Sequence, residues 1–288
     1  MAISIADITT QSAHISDGAW GTEFAKLGSL GGMCAEIWNL KKPENVEKVA
    51  KSYIDAGSQI ILTNSFSGNR FRLKEYNLDS KLKEINMKAV EISKKAAAGK
   101  ALVFASMGPV GKLVSMGEIS EEDAYAAFLE QAQAFKEAGA DGVVAETMSD
   151  APEVKQAILA IKKTGLFAVA SMSFDSGEHK THTMMGVSAE DAVTLCTEVN
   201  ADMIGANCGT GINNFVNICK EFKRLWKKPI WIKGNAGLPE VVEGKTVYKM
   251  GPDEFARHAL EIVKLGANVV GGCCGTSPAH LAALARVM

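Results

Sequence analysis

Ala267-Asn268-Val269-Val270-Gly271-Gly272-Cys273-Cys274-Gly275 is a short apolar run that ends in glycines and two adjacent thiols. A run this short, with β-branched residues at its centre and glycines at its end, reads as a strand buried on both faces, the habit of parallel sheets. Ala201-Asp202-Met203-Ile204-Gly205-Ala206-Asn207-Cys208 has the same form and ends in one thiol. Six further runs lie at 13–18, 58–65, 101–107, 141–147, 166–174 and 229–235. Helical patterns separate them. Pro43 to Ala56 sets Val46, Val49, Ala50 and Tyr53 on one stripe. Ser120 to Ala138 opens on Ser120-Glu121-Glu122-Asp123, a capping pattern with acidic residues in the first turn. Ser188 to Val199 and Asp253 to Leu265 repeat the theme, and Gly57, Gly139 and Gly266 follow helix ends.

Eight such runs, each followed by a helix or long loop, predict an α/β fold, a single (β/α)8 TIM barrel forming one domain over 1–288. A doubly wound open sheet is the alternative. The barrel is favoured by the residues at the run ends: Asp17, Asn64, Ser106, Glu146, Ser173, Cys208, Asn235, Cys273 and Cys274. A barrel gathers those ends into one ring, whereas an open sheet spreads them along a line.

Composition narrows the class. Of 288 residues 47% are apolar, ample for a large core, and the formal net charge is −2, which points to neither a nucleic-acid nor a membrane-surface partner. No apolar run reaches spanning length, and the N-terminus shows no charged-then-apolar leader pattern. Six cysteines in a chain of this length do not suggest a disulfide framework, so a cytoplasmic location is expected.

Three soft ligands at strand ends, Cys208, Cys273 and Cys274, suit a zinc ion with one position left open. Cys34, Cys196 and Cys219 end no strand beside glycines and are read as core residues. His179 and His182 share a polar loop, and their spacing favours solvated side chains over metal ligands. That loop, Asp175 to Val187, and the connection Ala236 to Pro252, with Gly237, Pro239 and Gly244, are candidate lids or partner surfaces. Trp20 and Trp38 either line a site at the strand ends or pack against the barrel.

Taken in order, the strand-end motifs resemble those of the homocysteine S-methyltransferase family, nearly end to end. They are Asp17-Gly18-Ala19-Trp20-Gly21-Thr22-Glu23, Leu62-Thr63-Asn64-Ser65-Phe66, Gly108-Pro109-Val110-Gly111 and Glu146-Thr147-Met148-Ser149-Asp150. Gly205-Ala206-Asn207-Cys208-Gly209, Gly234-Asn235-Ala236-Gly237 and Gly271-Gly272-Cys273-Cys274-Gly275-Thr276 complete the set. The nearest likeness is to the homocysteine-binding domain of cobalamin-dependent methionine synthase. The resemblance implies a zinc-bearing (β/α)8 barrel in which Cys208, Cys273 and Cys274 hold the metal. It implies that Asn235 lies close to the metal and that Glu146 holds the homocysteine amino group. Asp17, with the amides of Gly18 and Ala19, is placed at the amino-acid end, and Thr22, Asn64 and Ser106 line the pocket. Glu146 and Asp17 are the residues expected to serve catalysis. The structural readings beside these are that Glu146 caps the next helix, a task Ser149 and Asp150 can take instead, and that Asp17 fixes the first turn.

The chemistry suits the residues. The thiolate, not the thiol, is the nucleophile, and zinc removes the proton of a coordinated thiol. Three cysteinates leave the site near −1, so a fourth sulfur remains nucleophilic and can attack an activated methyl group, homocysteine thereby becoming methionine. The family's betaine branch carries a tyrosine where this chain has Thr147, and its S-methylmethionine branch has a different second-strand motif. Asn64 through Gly68-Asn69-Arg70-Phe71-Arg72-Leu73 is more similar to the corrinoid-linked branch. The resemblance therefore implies methylcobalamin supplied by a separate corrinoid protein, with S-methylmethionine, betaine, or methyl flow in reverse as alternatives. A zinc hydrolase or lyase is disfavoured, because three cysteinates make zinc a poor acid for water. A non-catalytic zinc-binding or redox-sensing barrel is the remaining class.

Overall fold

The computed structural model describes residues 3–10, 12–29, 34–242 and 245–288. Its strands are β1 His14–Ile15, β2 Ile60–Ile61, β3 Leu102–Met107, β4 Gly142–Met148, β5 Phe167–Met172, β6 Met203–Cys208, β7 Ile230–Gly234, β8 Pro239–Val242, β9 Lys245–Tyr248 and β10 Val269–Gly272. Eight of them form one sheet in the order β1-β10-β7-β6-β5-β4-β3-β2, and every recorded pairing in that sheet is parallel. Neighbours in sequence are neighbours in space, and the first strand lies against the last. That is barrel order, and it sets aside the doubly wound sheet, whose order reverses at a switch point.

Side chains help to close the seam between β1 and β2. Gln59 N–H donates to the Ile15 carbonyl at 2.8 Å, and Ile15 N–H donates to Gln59 Oε1 at 3.3 Å. One step further along, Leu62 N–H donates to Asp17 Oδ2 at 2.7 Å.

The helices follow the sequence pattern. Pro43–Asp55 buries Val46, Val49, Ala50 and Tyr53 as the stripe predicts. Glu121–Glu137 is capped by Ser120, whose hydroxyl accepts from Asp123 N–H at 3.0 Å. Ala189–Glu198 starts at a Ser188–Asp191 capping box, and Pro252–Lys264 packs against the C-terminal helix Pro278–Val287. Asp150 stands at the N-cap of Ala151–Lys163, but its carboxylate accepts from Ser115 N–H at 3.0 Å instead of capping, because the loop after β3 brings an unpaired amide within reach. The connection 236–252 carries the β8–β9 antiparallel hairpin, which the sequence reading leaves as a loop; Gly244 lies outside the described residues. No described helix is long and apolar enough to cross a membrane.

The core has two shells. Val103, Ala105, Val143, Ala145, Ala168, Ala170 and Val270 face the helices. Leu102, Phe104, Val144, Val169, Met203, Trp231 and Val269 fill the barrel interior, joined by Ile8 of the short helix Ile5–Ile8. Strand side chains alternate with period two. Continuing the inward set one step past Phe104, Val144 and Trp231 reaches Ser106, Glu146 and Lys233. The apolar interior thus ends in a polar layer at the C-terminal mouth.

A candidate metal and substrate site at the strand ends

The three thiols meet. Cys208 ends β6, while Cys273 and Cys274 follow β10, and β7 lies between these strands in the sheet. Gly234 of β7 pairs with both Cys208 and Gly272, which brings the two chain segments together. A side chain at Gly234 would strike Ile212 at 2.5 Å, so only glycine permits this approach. Cys273 Sγ lies 3.5 Å from Cys208 Sγ, and Cys208 Sγ lies 3.7 Å from Cys274 Sγ. Cys208 itself adopts φ +63°, a left-handed conformation that turns its side chain toward the other two.

Sulfurs about 2.3 Å from a tetrahedral zinc lie roughly 3.8 Å apart, so this cluster fits that ion without rearrangement. It is the one group of three or more potential ligands among the described residues. Asn235 follows Gly234; its Nδ2 donates to the Gly209 carbonyl at 2.8 Å, and its buried Oδ1 has no hydrogen-bond partner. An acceptor buried without a donor is costly and suits a cation nearby. Cys274 is held far below the ordinary thiol range by hydrogen bonds from Cys208 and Cys273, while hydrogen bonds with Cys273 and Cys274 push Cys208 up. Tyr248, from β9, interacts with Cys274 and packs over Gly275, where a Cβ would meet its ring at 2.1 Å.

Beside the sulfurs is a cavity of about 500 Å³. Its lining includes Gly18, Ala19, Thr22, Asn64, Ser106, Glu146 and all three cysteines, so most of the residues singled out in the sequence share one space. Glu146 is 7% exposed and accepts from Ser106 Oγ at 2.5 Å. Burial pushes its carboxyl up to about 7, with Lys233 pulling the other way. It sits in a register shift of β4, where the next residue, Thr147, takes φ +61°. Asn207 holds that turn: its Oδ1 accepts from Thr147 N–H, and its Nδ2 donates to Thr147 Oγ1, each at 2.8 Å.

Two of the expected residues stand outside the lining. The Asn235 side chain is turned to the Gly209 carbonyl. Asp17 is completely buried, and its carboxylate accepts from Lys233 Nζ, from Leu62 N–H at 2.7 Å and from Trp20 Nε1 at 2.7 Å. The amide of Ala19 is engaged too, donating to Thr276 Oγ1 at 3.1 Å, and Thr276 in turn donates to the Cys273 carbonyl at 2.7 Å. Asn64 is held by the Ala35 carbonyl and Asn39 Oδ1. Trp20 lines the cavity, whereas Trp38 packs on Phe24 at 5.2 Å. His179 and His182 are exposed, Cys196 and Cys219 lie in the core, and Cys34 lines the cavity while donating to Glu36.

Lys233 was not among the residues singled out in the sequence. It is 2% exposed, lines the cavity and pairs with Asp17. Burial opposes its charge, but Asp17 and Glu146 together hold its pKa above the ordinary value. The available signal was a lone lysine inside the apolar run Ile230-Trp231-Ile232-Lys233-Gly234. Asn207 and Tyr248 were likewise passed over, since only pairing across strands gives them a role.

A family model described as homocysteine S-methyltransferase matches residues 14–288. Methionine synthase of Mycobacterium tuberculosis is 29% identical over 98% of this chain, and that of Mycobacterium leprae is 29% identical over 96%. The chain spans about a quarter of the length of these curated relatives, 25% and 24%. The metallated form of the Escherichia coli homocysteine methyltransferase MmuM superposes with a TM-score of 0.81, at 24% identity and over 97% of each chain. At that identity the match speaks for the barrel fold.

Proposed function

The chain belongs to the homocysteine S-methyltransferase family and is a methyltransferase of that type, and from that premise we propose that it methylates a thiol, homocysteine, to the thioether methionine. The single observation that carries the reading is the trio of sulfurs beside a cavity with a buried carboxylate at its wall. In this reading 1–288 is one homocysteine-binding barrel domain. Family membership makes the chain an enzyme, which sets aside the non-catalytic barrel.

Cys208, Cys273 and Cys274 would hold a zinc ion, with Asn235 Oδ1 close by. When bound, the ion supplies the positive charge that keeps an incoming thiol ionised at neutral pH, while the three cysteinates leave that thiol nucleophilic. Glu146 binds the substrate ammonium; a carboxylate of raised pKa, desolvated beside the sulfurs, gains most from a cationic partner. Ser106 orients it through its hydrogen bond, and Asn207 orients it through Thr147. Asp17 acts behind the wall by holding Lys233 and Trp20 in place. Gly18, Ala19, Thr22 and Asn64 shape the remaining wall. The substrate sulfur attacks the methyl carbon in line, the sulfur–carbon bond forms, and the leaving group departs with the bonding pair. Likeness to the methionine synthases supports a corrinoid, methylcobalamin, as the donor.

Zinc content and zinc-edge X-ray absorption, with and without homocysteine, test the reading. One zinc per chain, gaining a sulfur neighbour on addition of homocysteine, is expected. Glu146→Ala should weaken that response without releasing the metal. Zinc that is indifferent to homocysteine would overturn the assigned substrate, and a fully reduced protein that takes up no zinc would overturn the site. Methionine formed from methylcobalamin, and not from S-methylmethionine or betaine, would establish the donor.

A further inference from the structure

A buried ammonium beside a thiol site calls for a reason. Lys233 Nζ makes one hydrogen bond among the described residues, to Asp17, although an ammonium carries three donors. Asp17 accepts one of the three, and its other oxygen is taken by Trp20 Nε1 and Leu62 N–H. Two N–H groups of a charge that is 98% removed from solvent therefore remain to be satisfied, and Lys233 lines the cavity. In the same cavity Glu146 uses Oε1 for Ser106, and its second oxygen has no hydrogen bond among the described residues. A cation and an anion, both desolvated and both with unused hydrogen-bonding capacity, complement the two charges of an amino acid.

Strand register gives their relation to the sulfurs. Lys233 pairs with Asn207 on one side and Gly271 on the other, and the next level, Gly234, pairs with Cys208 and Gly272. The Lys233 backbone therefore lies one level beneath Cys208 and Gly272, and its side chain lines the same cavity as the three thiols. A substrate reaching both must carry its anionic group only a few bonds from its sulfur. We propose that Lys233 binds the carboxylate of a short zwitterionic thiol, opposite Glu146 on its ammonium, and so selects for acidic over purely cationic thiols. This rests on the thiol-methylating reading above.

Three thiols separate the contributions: homocysteine, 4-mercaptobutyrate, which lacks the ammonium, and 3-aminopropanethiol, which lacks the carboxylate. Their affinities for the zinc-loaded protein can be read by calorimetry. Loss of a charge-assisted hydrogen bond is worth about 10- to 100-fold in affinity. Lys233→Met should weaken homocysteine and 4-mercaptobutyrate by that factor and leave 3-aminopropanethiol nearly unchanged. Asp17→Asn with Lys233→Met guards against misfolding around an unpaired Asp17 and should show the same selective loss. A carboxylate preference that survives in both variants, or equal weakening of all three thiols, would overturn the role of Lys233 alone. If the wild-type protein binds none of the three, the thiol reading fails, and this inference with it.

Discussion

Asn207, the residue before the first cysteine, holds Thr147, the residue after Glu146, in a left-handed conformation through two reciprocal hydrogen bonds of 2.8 Å. The end of β6 and the end of β4 are thereby one unit. Asn207 also accepts from Ser171 Oγ at 2.7 Å, and its Nδ2 lies 4.0 Å from Cys273 Sγ. A β-branched residue at positive φ is costly, of order 1–3 kcal/mol, and persists only where its surroundings enforce it.

Asn207→Ala should therefore release Thr147 and let Glu146 swing. The expected cost is about 1–3 kcal/mol in urea unfolding, from the amide and hydroxyl left unpaired. Thiol affinity should fall while zinc content holds. Thr147→Gly added to Asn207→Ala should recover part of the stability, since glycine bears positive φ without strain. Full thiol affinity in Asn207→Ala would show that the two strand ends act separately.

Metal removal should disable thiol binding and leave the barrel standing. The cluster sits at the mouth, whereas the interior below it is apolar and closed by Phe104 and Trp231, whose rings lie 5.7 Å apart. Chelation, or Cys208→Ser, should abolish thiol binding and leave the far-ultraviolet circular dichroism unchanged. Loss of helical signal on chelation would make the metal a folding element instead.

Gly18→Ala should disturb the site from behind. Its Cβ would meet Thr276 Oγ1 at 2.7 Å and the Tyr53 ring at 2.8 Å. Thr276 links Ala19 N–H to the Cys273 carbonyl, so pushing it moves a thiol. Overpacking of this kind costs about 1–3 kcal/mol. Thermal unfolding together with metal affinity measures both effects, and a shift in stability with unchanged metal affinity would uncouple Gly18 from the thiols.

Glu153 should make stability fall as pH rises. Buried beneath the loop after β3, it accepts from Val110 N–H at 2.7 Å, and burial pushes its carboxyl up to about 7 from 4.5. Between those values the folded protein keeps a proton that the unfolded chain has lost. Its contribution is thus complete below pH 4.5 and is lost as pH rises through 7, at about 1.4 kcal/mol per unit and roughly 3 kcal/mol in all. Glu153→Gln keeps the acceptor and cannot ionise, so it should gain on the wild type across that window. Parallel stability profiles for the two proteins would remove Glu153 from the pH response.

Much of the architecture was legible in the chain because its signals are local. The run 267–273 and its seven counterparts are each a strand in place, since a short apolar run between glycines has few alternatives in a buried parallel sheet. Ser120 and Ser188 cap their helices because a cap needs only the next three residues. The thiols too were visible, each at the end of such a run.

Tertiary structure alone decided what those ends do together. Asp17 is engaged behind the wall because closure of the barrel brings Leu62, Trp20 and Lys233 to its carboxylate, and no spacing along the chain records that meeting. Tyr248 reaches Cys274 only because 236–252 folds as a hairpin. Lys233 faces the cavity because period two and register carry it inward from Trp231, between carboxylates 216 and 87 residues away in sequence. By itself the sequence determined the eight barrel strands, the Ser120 and Ser188 caps and the three sulfurs, all written in neighbouring residues. The charge pairing of Asp17, Lys233 and Glu146 arose from strand register and barrel closure, which depend on contacts between residues far apart in the chain.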